Sequence, residues 1–228
     1  MLSRVLPDEA DRRGAVVLLT GAVCLWGAWF GQELAPESWS RLAELCWWAA
    51  TQIVFFLVVP LTVAWFALRV SPRDLGWRLR GTSGHARAYV GLFAIAVPFV
   101  LLASSTTVFQ DKYPLYEVYR GQTGIYDELV VWWAFYAAQF VAVETFFRGF
   151  LLHGLVPRLG PLAVVVPVVP YTMLHFVKPP AEALVAIVGG LVMGTLSYRT
   201  RTIWWGVGLH VAVAALMDVS SLAQKGLL

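Results

Sequence analysis

The sequence predicts an all-α fold: a polytopic bundle of transmembrane helices enclosing a polar intramembrane cavity. Three observations predict it. Hydrophobic residues make up 59% of the 228 residues and charged residues only 14%, where a soluble domain carries about 25% charged. The apolar residues fall into about seven runs of near-spanning length, and a bilayer crossing takes roughly 20 residues. The basic residues gather in alternate connections, as sorting of Lys and Arg to one membrane face requires. The net charge of +3 is small and scattered, so no nucleic-acid partner is expected.

Residues 1–13 are polar and hold Arg4, Arg12 and Arg13, which reads as a short cytoplasmic tail. The first span is expected at 15–30. It is long enough to cross and lacks a small-x-small cleavage site, so no cleavable signal peptide is expected. A second span is expected at 45–68, with Pro60 as a kink. Cys24 and Cys46 both fall in these apolar runs, as embedded thiols and not as a disulfide framework. Residues 69–87 carry Arg69, Arg73, Arg78, Arg80 and Arg87, the clearest topological marker in the chain. A third span is expected at 89–103. The polar segment 104–128 follows, and its Tyr113, Tyr116 and Tyr119 suit a membrane interface.

The fourth run, 129–152, is entered through Trp132 and Trp133 and exceeds what a bilayer needs, so a tilt or projection is expected. The fifth span, 162–176, carries Pro167 and Pro170. The sixth, 181–198, contains Gly190 and Gly194, a spacing that lets a neighbouring helix come close. The seventh covers 204–219. With the N-terminus inside, eleven Lys and Arg fall on the cytoplasmic side and five opposite, with Arg148 in the membrane. This predicts a multi-pass cell-membrane protein with a cytoplasmic N-terminus and seven crossings.

Few polar groups then lie at membrane depth. The fourth run holds two charges, Glu144 and Arg148. Four residues apart, they share one helical face. Each costs on the order of 2.5–3.5 kcal/mol to place there. One reading is a structural ion pair; the other is a functional carboxylate held by an arginine. Gln139, His175, His210 and Asp218 are the other polar residues at that level. From the cytoplasmic ends of their runs, His175, His210 and Glu144 lie roughly 20, 9 and 15 Å deep at 1.5 Å per residue. Modest helix tilt brings them to one cavity.

A carboxylate and two imidazoles on three helices suit hydrolysis. Glu144 acts as a general base on water, one histidine holds that water, and the other donates to a developing oxyanion. Two histidines and a glutamate are also a catalytic zinc set, so zinc stays open beside a cofactor-free enzyme. No His-Glu-x-x-His helix is present, and no serine or cysteine stands beside a histidine and a carboxylate as a nucleophile.

These residues resemble a known family: the intramembrane CAAX proteases and bacteriocin-processing enzymes, or CPBP/Abi family, which includes the type II CAAX prenyl endopeptidases. The family's three motifs are Glu-Glu-x-x-x-Arg, Phe-x-x-x-His and His-x-x-x-Asn/Asp, on successive membrane helices. Glu144 with Arg148 is similar to the first, Tyr171 with His175 to the second, with Tyr for Phe, and His210 to the third. The chain departs at Val143, where the family has its leading Glu, and at Ala214, where it has Asn or Asp. Asp218 lies one turn beyond. The resemblance covers about 128–220, and the Pro72, Arg73, Asp74, Leu75, Gly76, Trp77 segment is also similar to members.

The resemblance implies a single-Glu glutamic-type intramembrane endopeptidase without metal. Glu144, His175 and His210 are its catalytic residues, and Arg148 and Asp218 support them. It implies one membrane domain, 1–228, with N-terminal spans and the basic loop in 1–127 and the catalytic core helices in 128–220. Its partners would be the lipid bilayer and a membrane-tethered protein or peptide, such as a C-terminal processing or sorting signal. A non-catalytic immunity or scaffold protein of the same fold is the alternative, motivated by Val143 and Ala214. A transporter fits less well, since no internal inverted repeat is visible.

Overall fold

The computed structural model describes residues 8–80, 82–117 and 125–227. Arg4 and Tyr119, named above, lie outside the described residues. Helix α1, Glu9–Gln32, starts at Asp8, whose side chain accepts from the Asp11 N–H at 2.7 Å. That bond satisfies one of the free N–H groups of the first turn. Helix α2, Arg41–Phe66, starts the same way at Ser40. Its middle relaxes into a π-helical turn, Val54–Val58, just before Pro60. Proline cannot donate to the helix ladder, and π-turns and prolines are the usual sites where long helices bend.

Helix α3 covers Ser83–Ser104, and a short α4, Thr107–Lys112, is capped by Thr106. Helix α5 begins as Ile125–Glu144, continues as a nine-residue π-helix, Thr145–His153, and ends in Gly154–Leu159. A 3-10 stretch, Gly160–Val164, leads to α6, Val168–Met173. Helices α7, Pro180–Thr200, and α8, Trp204–Gln224, complete the bundle.

Among the described residues six helical segments are long and apolar enough to cross a membrane. Their outer faces carry large apolar side chains in the open, such as Phe66 at 76% and Leu102 at 72% exposure. Water penalises such a surface and lipid does not.

The fifth expected span, 162–176, differs from expectation. It is no continuous helix but a 3-10 stretch, the short α6 and turns. Pro167 and Pro170 remove N–H donors, and backbone freed in this way is tolerated at membrane depth only against protein or a cavity. The segment is covered by α7. A Cβ on Gly194 would stand 3.0 Å from Val164, and one on Gly190 3.4 Å from Val168 and Tyr171. The broken segment therefore runs antiparallel to α7, and the two glycines give the close approach expected of them.

The π-helix sits at the centre. All nine of its residues are buried. Phe146 stacks on Phe56 from the π-turn of α2 at 4.5 Å between ring centroids. The basic loop is pinned to the same region. The Ile203 N–H donates to the Gly76 carbonyl at 3.0 Å, Thr202 Oγ1 donates to the Arg78 carbonyl at 2.6 Å, and Trp77 meets Trp204 edge-on. Gly149 is required there: a Cβ would come within 2.9 Å of the Leu75 carbonyl oxygen.

Candidate active site

Glu144 ends the regular part of α5, and Arg148 follows it one turn into the π-helix. Arg148 Nη1 lies 3.0 Å from Glu144 Oε1. His210 from α8 approaches the same oxygen, with Nδ1 also at 3.0 Å. Glu144 is 1% exposed and Arg148 2%. Glu144 Oε1, Arg148 Nη1 and His210 Nδ1 are close in distance but lack hydrogen-bond alignment with any partner. A buried ion pair gains most when its remaining polar valences are met; here part of them is unmet.

The approach of α8 depends on Gly206, one turn before His210. A Cβ there would run into Glu144 Oε2. On its other flank the His210 ring stacks on Phe140 of α5, 5.3 Å between centroids and 8° from parallel.

Helix α6 supplies the third wall. The Tyr171 hydroxyl lies 2.9 Å from His210 Nε2. Its ring lies under the Arg148 guanidinium at 4.3 Å, a cation–π contact that suits a desolvated arginine. Its carbonyl accepts from His175 Nδ1 at 2.8 Å. His175 is thus tied to the site through Tyr171, with the two rings 4.7 Å apart. Tyr89, buried on α3, is electrostatically coupled to both Glu144 and Arg148. A small, partly open pocket lies beside Arg148, lined by Phe147, Leu152, Tyr171 and the glycines of α7.

The expected residues are therefore only partly brought together. Glu144, Arg148 and His210 touch, and His175 stands one residue removed. Asp218 lies elsewhere: eight residues beyond His210 it is about 12 Å further along α8. It accepts from the Leu115 backbone and faces Lys178. It belongs to a second polar cluster, in which Tyr113 donates to Glu182 at 2.8 Å and Lys178 donates to the Tyr113 hydroxyl at 3.2 Å. Lys225 and Ser221 both donate to the Tyr113 carbonyl. Gln139 is buried, and its Oε1 has no hydrogen-bond partner.

Val143 and Ala214, the two departures from the motifs, are packed in apolar surroundings: Val143 with Phe146 and Phe147, Ala214 with Trp132 and Tyr136. Among the described residues no three His, Cys, Asp or Glu side chains are grouped as a candidate metal site. Sequence reasoning missed Gly206, Phe140 and Tyr89. Gly206 carried a usable signal, a glycine one turn from a functional histidine. Tyr89 carried none, since its partners come from other helices.

Residues 126–216 match the model of a protein family, the type II CAAX prenyl endopeptidase Rce1-like proteins. The matched stretch contains Glu144, Arg148, Tyr171, His175 and His210, and ends just before Asp218. Over these residues the chain is similar to the type II CAAX prenyl endopeptidases. With six span-length helices among the described residues, the chain is a multi-pass membrane protein, and its matched stretch is similar to a family of peptidases. No curated protein and no solved structure matches the chain significantly.

Proposed function

We infer that this chain is a glutamic-type intramembrane endopeptidase that uses Glu144, His175 and His210. The observation that carries this reading is the meeting of Glu144 and His210 across two helices, inside the stretch that is Rce1-like. An ion pair with Arg148 alone needs only one helix.

In the reaction, water enters between α5 and α6, where His175 holds it by Nε2, the nitrogen not bonded to Tyr171. Glu144 removes a proton from that water as it attacks the scissile carbonyl, and later returns it to the leaving amide nitrogen as the C–N bond breaks. Once protonated, Glu144 attracts the neighbouring His210 Nδ1–H less strongly. That N–H then donates to the developing oxyanion, the kind of preorganised contact that lowers the barrier most. Arg148 holds the Glu144 carboxylate in place beforehand. Asp218 supports from a distance by holding the 113–116 segment against the end of α8.

The substrate is a protein segment tethered to the membrane and cut near its C-terminus or near a bilayer face. The N-terminus faces the cytoplasm, the side to which most of the arginines sort. The direct test is reconstitution in vesicles with a panel of fluorogenic substrates: a prenylated C-terminal Cys-a-a-X peptide and membrane-anchored tails with basic ends. Cleavage of at least one, lost in Glu144→Ala, His175→Ala and His210→Ala, is expected. Unchanged cleavage in all three variants would end this reading.

The alternative, a non-catalytic scaffold of the same fold, is favoured by the depth of the pair: Glu144 is 1% exposed and touches two nitrogen groups. It predicts that the three variants change stability only.

A further inference from the structure

One residue touches Arg148 and both histidines of the site, and it is not among the motif's charged or imidazole groups. Tyr171 uses three different parts of itself. Its hydroxyl meets His210 Nε2 at 2.9 Å, its ring carries the Arg148 guanidinium, and its backbone carbonyl meets His175 Nδ1 at 2.8 Å.

The chemistry of the partners fixes the protons. A carboxylate only accepts, and a bare nitrogen 3.0 Å from its oxygen would set two lone pairs against each other, so the His210 nitrogen facing Glu144, Nδ1, carries the hydrogen although the contact is not aligned as a hydrogen bond. A carbonyl also only accepts, so the His175 nitrogen facing Tyr171 is again a protonated Nδ1. On neutral rings, both Nε2 atoms are then bare. A bare Nε2 on His210 needs a donor, and the Tyr171 O–H is at hydrogen-bond distance from it. His175 keeps its Nε2 lone pair free.

We propose that Tyr171 is the positioning residue of this site, setting both histidines in the Nδ1–H form through its hydroxyl and its carbonyl. The proposal rests on the reading of Glu144, His175 and His210 as the hydrolytic set, and gives that set its proton arrangement. It explains the tyrosine in a motif whose family pattern has phenylalanine. Here Ala214 offers His210 no polar contact, and the phenol supplies a bond from α6 instead. A tautomer imposed by a neighbour matters for rate: a histidine held in the wrong form cannot donate and accept where the reaction needs it.

The test is Tyr171→Phe, which removes the hydroxyl and leaves the ring under Arg148 and the carbonyl on His175. The protein is labelled with ¹⁵N-histidine in detergent micelles, and His210→Ala assigns the His210 signals. Wild type is expected to show His210 with Nδ1 protonated and Nε2 bare. In Tyr171→Phe the Nε2 signal should leave the hydrogen-bonded bare-nitrogen position, while the His175 signals stay put. With a cleaved reporter, kcat should fall on the order of 10²-fold and KM should hold. Fluorotyrosine at position 171, which changes only the acidity of the phenol, should move the Nε2 shift in step with that acidity.

A His210 Nε2 signal unaffected by both changes would overturn the proposal, whatever the activity. If wild type cleaves no reporter, the peptidase reading fails by that result, and the nitrogen signals still decide the role of Tyr171.

Discussion

Glu144 on α5 and His210 on α8 meet with 3.0 Å between Oε1 and Nδ1, and the absent side chain of Gly206 permits it. Putting a methyl group at that position should part them. Gly206→Ala is expected to push α8 off Glu144, cost about 1–3 kcal/mol of stability as overpacking does, and remove activity. Thermal unfolding in detergent and reporter cleavage check both parts. Gly208→Ala is the control, since nothing lies near that glycine.

The Glu144–Arg148 pair should behave as a buried ion pair. Glu144→Ala leaves an arginine uncompensated in the core and should cost about 3–5 kcal/mol. Glu144→Ala with Arg148→Met should recover most of that stability, because apolar replacements of a buried pair are often neutral. It should recover no activity. Unfolding midpoints of the single and double variants measure this.

Restoring the family's leading glutamate should not help. Val143 is 7% exposed and packs with Phe146 and Phe147. Val143→Glu places a charge there without a partner, at about 2.5–3.5 kcal/mol on insertion scales. The expected result is a lowered yield of folded protein and no gain in rate, read by size-exclusion profile and reporter cleavage.

Asp218 should matter for stability and not for chemistry. Asp218→Asn weakens its contact with the Leu115 backbone and with Lys178. A loss of about 1–3 kcal/mol is expected for a disturbed buried polar contact, with kcat per folded molecule unchanged. A fall in kcat without a fall in stability would move Asp218 into the site.

Metal chelators should leave activity intact. Glu144 Oε1 faces a guanidinium and the His210 imidazole, His210 Nε2 faces a hydroxyl, and His175 Nδ1 faces a carbonyl. Only His175 Nε2 remains as a nitrogen donor, and one ligand does not make a zinc site. Treatment with EDTA and phenanthroline followed by reporter cleavage checks it.

Much of the bundle was legible because lipid enforces a simple rule. Long apolar runs ended by Trp and Arg become helices, and Gly190 and Gly194 become a contact face. The break at Pro167 and Pro170 was written in the sequence too, yet the run's apolar length read as a span. The π-helix over Thr145–His153 was not legible, since it depends on packing against α2 and the basic loop. In the site, burial cost singled out Glu144, Arg148, His175 and His210. The same cost singled out Asp218, which proved to serve a different cluster. Hydropathy ranks residues by depth and is silent on which helix faces which. Tyr171 was visible as a motif position, but its hydroxyl gains meaning only once α8 lies beside α6.

The central claim is that Glu144 does chemistry and is more than the anchor of Arg148. Glu144→Gln keeps the shape and an oxygen toward Arg148 and His210 while removing the base. Measured as kcat on a cleaved membrane-tethered reporter, with the unfolding midpoint as a check that the bundle is intact, it should fall by at least about 10²-fold. A folded Glu144→Gln protein that turns over at the wild-type rate would contradict the claim and leave Glu144 a structural partner of Arg148.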